Sequence, residues 1–363
     1  MTSTYGRRIP QWDCEDIREI YGVMQDFSQA AEPGKYLAET FPPLSKIPGW
    51  MQWWRKPAER SFQRQASIWM KYFSELQRSI EQDEAPECFV KSFLEWDYER
   101  NEISDLQASF LAGIPAMIEA GSETTSSALN SCVKYFVAYP EAQAKAYAEI
   151  QKVVGESRFP SFKDEENLPY VRACVKEILR IRPVNNIGIP HYTTADIIYK
   201  DYFIPAGTVV NINNYALHLD PKRWENPEDF IPDRYLDYPL KAGAYAASPD
   251  PEQQIHFDFG AGRRICPGMH LAENSLFITI ASIIWAFEIL PPMEGGKIGH
   301  VDVSDAAYVA GTNTLPKQSK LRFIPRSEKV KETILTGWPV AKEEGYMLGD
   351  IKVDAKGVVV SSK

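Results

Sequence analysis

The sequence predicts a mainly α domain with small β-sheets, and three observations carry that prediction. Apolar residues recur at helical spacing through much of the first half of the chain. The β-prone runs between positions 184 and 215 are only a few residues long. A proline-rich, loop-rich stretch from 219 to 265 then leads into a last apolar helix. The 363 residues are 44% hydrophobic and 25% charged, which is enough apolar matter for a large core. The prolines are spread along the chain, no repeat stands out, and no linker-like break divides it.

Taken in order, residues 16–27 place Ile17, Ile20, Val23 and Met24 on one helical face. Phe41-Pro-Pro-Leu and Ile47-Pro-Gly-Trp mark a loop, and residues 58–81 return to a helical pattern. Ser104 is the expected N-cap of a long helix running past Ala128, with Pro115 kinking it. Pro140 opens a helix that reaches about Val154, and residues 168–181 form another that stops before Pro183. Strands are expected at 197–199 and 208–212, then a helix over 267–290, then short strands within 306–325. Residues 1–326 read as one domain. Residues 327–363 read as a polar tail with the composition of partial disorder.

The formal net charge of -9, with no Lys/Arg cluster, argues against nucleic acid as a partner. Cys14, Cys88, Cys132, Cys174 and Cys266 are scattered, odd in number and free of any CxxC pair, so neither a zinc site nor a disulfide framework is expected. The polar start Thr2 to Arg8 carries no signal peptide or anchor, and the apolar run 276–290 reads as a core helix with no transmembrane span.

The most informative segment is Phe259-Gly-Ala-Gly262-Arg-Arg264-Ile-Cys266-Pro-Gly268. Gly260 and Gly262 permit a tight turn and close approach to a flat ligand. Cys266 is expected at a helix start, where free N–H groups stabilise a thiolate, with Pro267 in the first turn. Arg264 is placed to bind a carboxylate. A glycine-rich turn around an inert buried Cys is the plainer alternative for such a segment.

At every fixed position this segment resembles the haem-binding signature of the cytochrome P450 family, F-x-x-G-x-R-x-C-x-G. The resemblance implies a partial cytochrome P450 fold with haem b, Cys266 as the iron ligand, and Phe259, Gly262, Arg264 and Gly268 as cofactor-binding positions. Glu177-Ile-Leu-Arg180 resembles the family's E-x-x-R, its i, i+3 spacing placing both side chains on one helical face. Arg234 in Phe230-Ile-Pro-Asp-Arg234 fits the third member of that structural lock. Ala120-Gly121-Ser-Glu123-Thr124-Thr125 resembles the oxygen-binding groove. Glu123 and Thr124 form an acid–alcohol pair suited to relaying protons, so both are candidate catalytic residues. His191, after Gly188-Ile-Pro190, is expected against a haem propionate. His218, His256, His270 and His300 show no metal-ligand spacing and read as structural.

Resemblance also suggests Ala116, Ala120, residues 184–189 and residues 309–312 as substrate-facing. Their mostly small or apolar character fits an organic molecule of low polarity. Trp50-Met-Gln-Trp53-Trp54-Arg55-Lys56 combines aromatics with cations, as segments resting on a membrane surface do. The implied protein is a haem-thiolate monooxygenase acting with O2 on a small organic substrate. Its electrons come from NADPH through a flavoprotein reductase, and it sits at the cytoplasmic face of the endoplasmic reticulum. The wording of Phe41-Pro-Pro-Leu and Lys176-Glu-Ile-Leu-Arg180 looks like that of fungal microsomal members of secondary metabolism. The match begins partway through the family pattern, and full members carry on the order of 150 further N-terminal residues. Trp96-Asp-Tyr-Glu-Arg100 has the spacing of the family's W-x-x-x-R contact but lies directly before the oxygen-groove helix, the wrong place for it. The alternative reading is a truncated, non-catalytic remnant with weak or no haem binding.

Overall fold

A computed structural model describes the chain except for residues 8, 10–13, 31–33, 97–102, 114–118, 251, 310, 312, 345, 349–350, 354–358 and 363. Pro115, Ala116, Arg100 and Thr312 therefore lie outside the described residues. The fold class is as expected: helices dominate, and the strands are short and pair antiparallel. Contacts divide the chain into two units, Met1–Glu123 with Ile334–Lys363, and Thr124–Thr333.

The first unit holds α1 (Thr2–Tyr5), α2 (Glu15–Ala30), α3 (Leu37–Thr40), α4 (Arg55–Glu81), α5 (Phe89–Glu95) and α6 (Asp105–Gly113). Ile20, Val23 and Met24 of α2 meet Ile68, Trp69, Phe73 and Leu76 of α4 in one buried cluster. This is the expected apolar face of a helix at 3.6-residue period. Asp16 is buried with them because Tyr72 donates to it at 2.9 Å and Arg7 pairs with it at 3.0 Å. Ser104 caps α6: its Oγ accepts from the Gln107 N–H, and Gln107 Oε1 accepts from the Ser104 N–H at 2.9 Å. The helix expected to run on past Ala128 is described only as far as Gly113 and again from Glu119, with 114–118 outside the described residues.

Helix α7 (Glu119–Ala138) crosses the boundary between the units, and the second unit continues with α8 (Pro140–Val153) and α9 (Pro169–Ile181). Proline opens both of the latter, where its missing N–H costs nothing. Two short pairings follow: β1 (His191–Tyr192) with β4 (Val209–Val210), and β2 (Ile197–Tyr199) with β3 (Tyr202–Ile204). Then come α10 (Asn214–His218), α11 (Ala242–Ala246) and α12 (Met269–Ala286), the last packed on α8 and α9. Strands β5 (Phe287–Leu290) and β10 (Arg322–Pro325) pair, as do β6 (Met293–Glu294) with β7 (Lys297–Ile298) and β8 (Tyr308–Val309) with β9 (Leu315–Pro316).

Two expectations are corrected. The helix predicted over 267–290 runs only from Met269 to Ala286, and Phe287 turns to extended backbone. Gln143 explains why. This buried side chain accepts from the Ile289 N–H at 2.8 Å and donates to the Ile289 carbonyl at 3.0 Å, so the segment's backbone groups are satisfied as a strand. Phe287 also packs edge-on against Phe323 of β10. The tail, expected to be polar and partly disordered, begins with α13 (Glu328–Glu344), in which Val330 is fully buried and Thr333 donates to the Glu156 carbonyl at 2.9 Å. Beyond it β11 (Tyr346–Leu348), β12 (Ile351–Val353) and β13 (Val359–Ser362) form a meander in the first unit. By length and composition α12 would pass as a membrane span, but Leu276, Phe277, Ile280, Ile284 and Trp285 are buried within the protein, as the sequence reading of a core helix requires.

Replacing Gln143 with Leu leaves the Ile289 N–H and two carbonyls buried without partners. Gln143→Leu is expected to lower stability by about 2–3 kcal/mol, read as a lower urea midpoint for loss of far-UV helix signal.

Candidate functional site

The Cys loop is shaped by its own main chain. The Gly260 N–H donates to Phe257 O at 2.9 Å, Ile265 N–H to Gly262 O at 3.1 Å, and Cys266 N–H to Phe259 O at 2.8 Å. Gly260 and Gly262 hold φ of 73° and 65°, the left-handed region that side chains resist. A Cβ at either position would meet no atom within 4 Å, so the glycines serve the turn and leave its face open. Phe259 is buried and stacks near His256, while Arg264 is exposed at the end of a 3-10 turn, Gly262–Arg264.

Cys266 is half-buried and lies just ahead of α12, whose N-cap is Gly268. Pro267 therefore precedes the helix instead of sitting in its first turn, and the Gly268 backbone N–H favours the Cys266 thiolate. Burial pushes the thiol pKa up, the Gly268 N–H works against that, and the charge of Asp258 adds to the rise. A single half-buried sulfur at the base of an open glycine turn, with a backbone N–H that favours its thiolate, suits a haem iron that takes one protein ligand.

Behind the loop, Glu177 and Arg180 meet as a bidentate pair at 2.8 and 2.9 Å, both with fully buried side chains. Arg234, the expected third partner, donates to Glu177 Oε1 at 3.1 Å. Arg180 also donates to the carbonyls of His218, Pro227 and Asp229. Burial opposes its charge, and Glu177 with smaller help from Tyr235 and Tyr135 outweighs burial, so its pKa is held above the usual guanidinium value.

The remaining predicted residues fall into separate places. Thr124 and Glu123 are consecutive on α7 and half-buried, and the Glu123 carboxylate accepts from Ser28 Oγ at 3.2 and 3.3 Å. A Cβ at Gly121 would meet open space. His191 is exposed in β1, opposite Val210. Of the substrate-facing set, Ala120, Ile187, Ile189 and Val309 are exposed, and Val184 is buried. A surface cleft of about 440 Å³, lined by Tyr135, Arg182, Tyr215 and Asp305 among others, holds none of the predicted residues.

Sequence reasoning missed the residues that tie these parts together. Val184 is a junction: its N–H donates to Asp258 Oδ1 at 3.0 Å, and its carbonyl accepts from the Thr314 N–H at 2.7 Å. Thr314 O in turn accepts from Ser127 Oγ on α7 at 2.7 Å. One run of hydrogen bonds thus joins α7 to the residue next to Phe259. Asp258 does not belong to the signature, so no motif pointed to it.

Burial pushes the Asp258 carboxyl up to about 7, with the Val184 N–H opposing, against 3.8 for an unperturbed group. The folded chain therefore binds this proton more tightly than the unfolded chain. The stability from that proton is present below 3.8 and is lost as pH rises to about 7. Asp258→Asn keeps an acceptor for Val184 without the charge. It is expected to raise the melting temperature more at pH 8 than at pH 5, read by thermal unfolding of the full chain at both.

Comparison with known proteins agrees with this geometry. The cytochrome P450 family model matches residues 14–302. The cytochrome P450 monooxygenase pgmC of Aspergillus terreus is 38% identical over 362 residues, covering 99% of this chain and 64% of that protein. The monooxygenase verL of Clonostachys rogersoniana is 40% identical over 348 residues, covering 95% and 63%. A zebrafish cytochrome P450 solved with progesterone superposes with a TM-score of 0.68 at 24% identity, over 89% of this chain and 68% of that one. The chain spans just under two thirds of the length of these two fungal relatives. With the family model matched over most of its length and the relatives aligned along nearly all of it, this chain belongs to the cytochrome P450 family.

Proposed function

We propose that this chain is the haem-binding part of a monooxygenase. The reaction inserts one oxygen atom from O2 into a small, apolar organic molecule, by hydroxylation or epoxidation, in secondary metabolism. The observation that carries the proposal is half-buried Cys266, its thiolate favoured by the Gly268 N–H, at the base of an open, glycine-built turn. Relatives named as monooxygenases across the whole aligned length support it.

Bound haem supplies oxygen activation, with electrons from NADPH delivered by a flavoprotein reductase. The chain's own residues hold and steer. Cys266 would give the sulfur ligand, and the Gly268 N–H would favour its thiolate form. Gly262 lets the backbone approach a flat group, and buried Phe259 closes water out of the turn. Arg264 and His191, both exposed, are assigned to the haem carboxylates. Glu123 and Thr124 hold and pass protons as adjacent acid and alcohol on α7, with Ser28 orienting the carboxylate. Exposed Ile187, Ile189 and Val309 offer a substrate only carbon surface and backbone groups, which favours low polarity.

Contact with the cytoplasmic face of the endoplasmic reticulum is part of the same proposal. In the first unit Trp50 is 85% exposed and Trp53 63% exposed, close in sequence to Arg55 and Lys56. Exposed indole beside cations favours a lipid headgroup layer. Trp50→Ser with Trp53→Ser is expected to lower binding to anionic phosphatidylserine-containing vesicles in a sedimentation assay, with the helix content unchanged.

The chemical test is direct. The full chain is expressed with haem supply, reduced, and exposed to carbon monoxide. A red-shifted Soret band of thiolate type is expected, and Cys266→Ala should abolish it. Absence of haem uptake, or a band typical of a neutral ligand, would replace this reading with that of a non-catalytic remnant.

A further inference from the structure

Two imidazoles stand behind the entry to the Cys loop. His218 ends α10 and His256 begins the loop. Both are fully buried, with ring centroids 4.9 Å apart. Each has one hydrogen bond, through Nε2. The Phe257 N–H donates to His218 Nε2 at 2.9 Å, and His256 Nε2 stands 3.1 Å from the Lys176 carbonyl. Neither Nδ1 has a partner. A backbone N–H only donates, so His218 Nε2 must be unprotonated and the ring's proton lies on the buried, unpartnered Nδ1. Leaving such a group unpaired is costly, which marks the Phe257 bond as one the fold retains against that cost.

The main chain of His218 is tied elsewhere. Its carbonyl accepts from Arg180 Nη1 at 2.9 Å, the guanidinium that Glu177 locks. One residue thus joins the lock through its backbone and the Cys loop through its ring. His256 makes a parallel link to Lys176, the neighbour of Glu177. From Phe257 the connection continues through the loop's own bonds, Gly260 N–H to Phe257 O and Cys266 N–H to Phe259 O. The charged groups that bear on the pair are cations: Arg180 and Arg223 on His218, Lys176 and Arg180 on His256. The Glu177 carboxylate is already committed to Arg180 and Arg234. The surroundings therefore favour the neutral ring that the Phe257 bond demands.

We propose that His218 is a positioning residue that carries the placement of the Glu177–Arg180 lock to the Cys266 loop. Its relevance to catalysis rests on the haem-thiolate reading above, whereas its geometry does not. No motif of the loop contains His218, which sits 48 positions before Cys266.

The test compares His218→Gln, which keeps an acceptor, with His218→Leu, which removes it. Amide hydrogen exchange is measured by mass spectrometry on the full chain without haem, so it decides the proposal whether or not the chain takes up haem. In His218→Leu, exchange of the peptide covering residues 257–266 is expected to quicken about tenfold, as for loss of one ordering hydrogen bond, while α8 keeps its protection. His218→Gln should restore most of the protection. In haem-loaded protein the share of red-shifted carbon monoxide adduct should follow the same order. Equal loop protection in the Leu variant and the unaltered chain would overturn the proposal. If the Leu variant fails to fold, the Gln variant decides: a protected loop supports the proposal and an unprotected loop overturns it. Collapse of both variants by far-UV circular dichroism also overturns it, since His218 would then be a general packing residue.

Discussion

Arg180 is a cation with no exposed side-chain surface, and much of the second unit is arranged around keeping it there. A buried charge is tolerated only where a counter-charge and enough acceptors surround it. Glu177 supplies the first by a bidentate bond from the same helix. The second comes from three carbonyls, one at His218 at the end of α10 and two, at Pro227 and Asp229, in irregular chain. Those carbonyls turn inward because the guanidinium is there, and so the loop-rich stretch after α10 acquires one path. Arg234 closes the arrangement by bonding Glu177 and the carbonyls of Glu225 and Asn226. Removing either partner of the central pair would leave the other charge buried, which makes the lock an all-or-none feature.

The Cys loop takes its place from this lock on one side and from Val184 on the other. His218 holds Phe257, and Val184 holds Asp258, so two adjacent residues at the loop's root are fixed by different elements. Val184 also lies three residues past the end of α9, the helix that carries Glu177 and Arg180. Both anchors therefore trace back to one helix. The root of the loop is bonded from two sides, while at its tip a Cβ added to Gly260 or Gly262 would meet no atom within 4 Å. That division suits a site in which a ligand atom must be held to a fraction of an ångström and a flat partner must be admitted.

Much of this was legible in the sequence where chemistry needs fixed residue types at fixed spacing. The Cys266 loop, the Glu177–Arg180 pair and the Ser104 cap are local patterns, and each is found where its spacing puts it. Arg234 was reachable because it sits in a recognisable proline-bounded turn. Phe287–Leu290 was misread because four apolar and charged residues after a helix continue its period, and only Gln143, far away in sequence, makes them a strand. Val330 and Thr333 were hidden in the same way within a tail of polar composition. His218 and Asp258 were invisible for another reason. Each does its work through one backbone N–H of a distant residue, and such a bond leaves no pattern in the sequence.

These two residues also show why the motif alone underdetermines the site. The signature fixes which atom can bind iron and lets the turn open, but says nothing of what holds Phe257 and Asp258. A chain could keep every signature position and still lose the register of Cys266 if either anchor failed. The reverse does not hold, since both anchors lie outside the turn and would survive loss of the sulfur. The loop's function is thus set by its ends, and its chemistry by its centre. Asp258 stands where the two meet, bonded to Val184 at the root and raising the Cys266 thiol through its charge. An acceptor at that position is required by the Val184 N–H, and a carboxylate there adds an anion beside the sulfur that the bond to Val184 does not itself need.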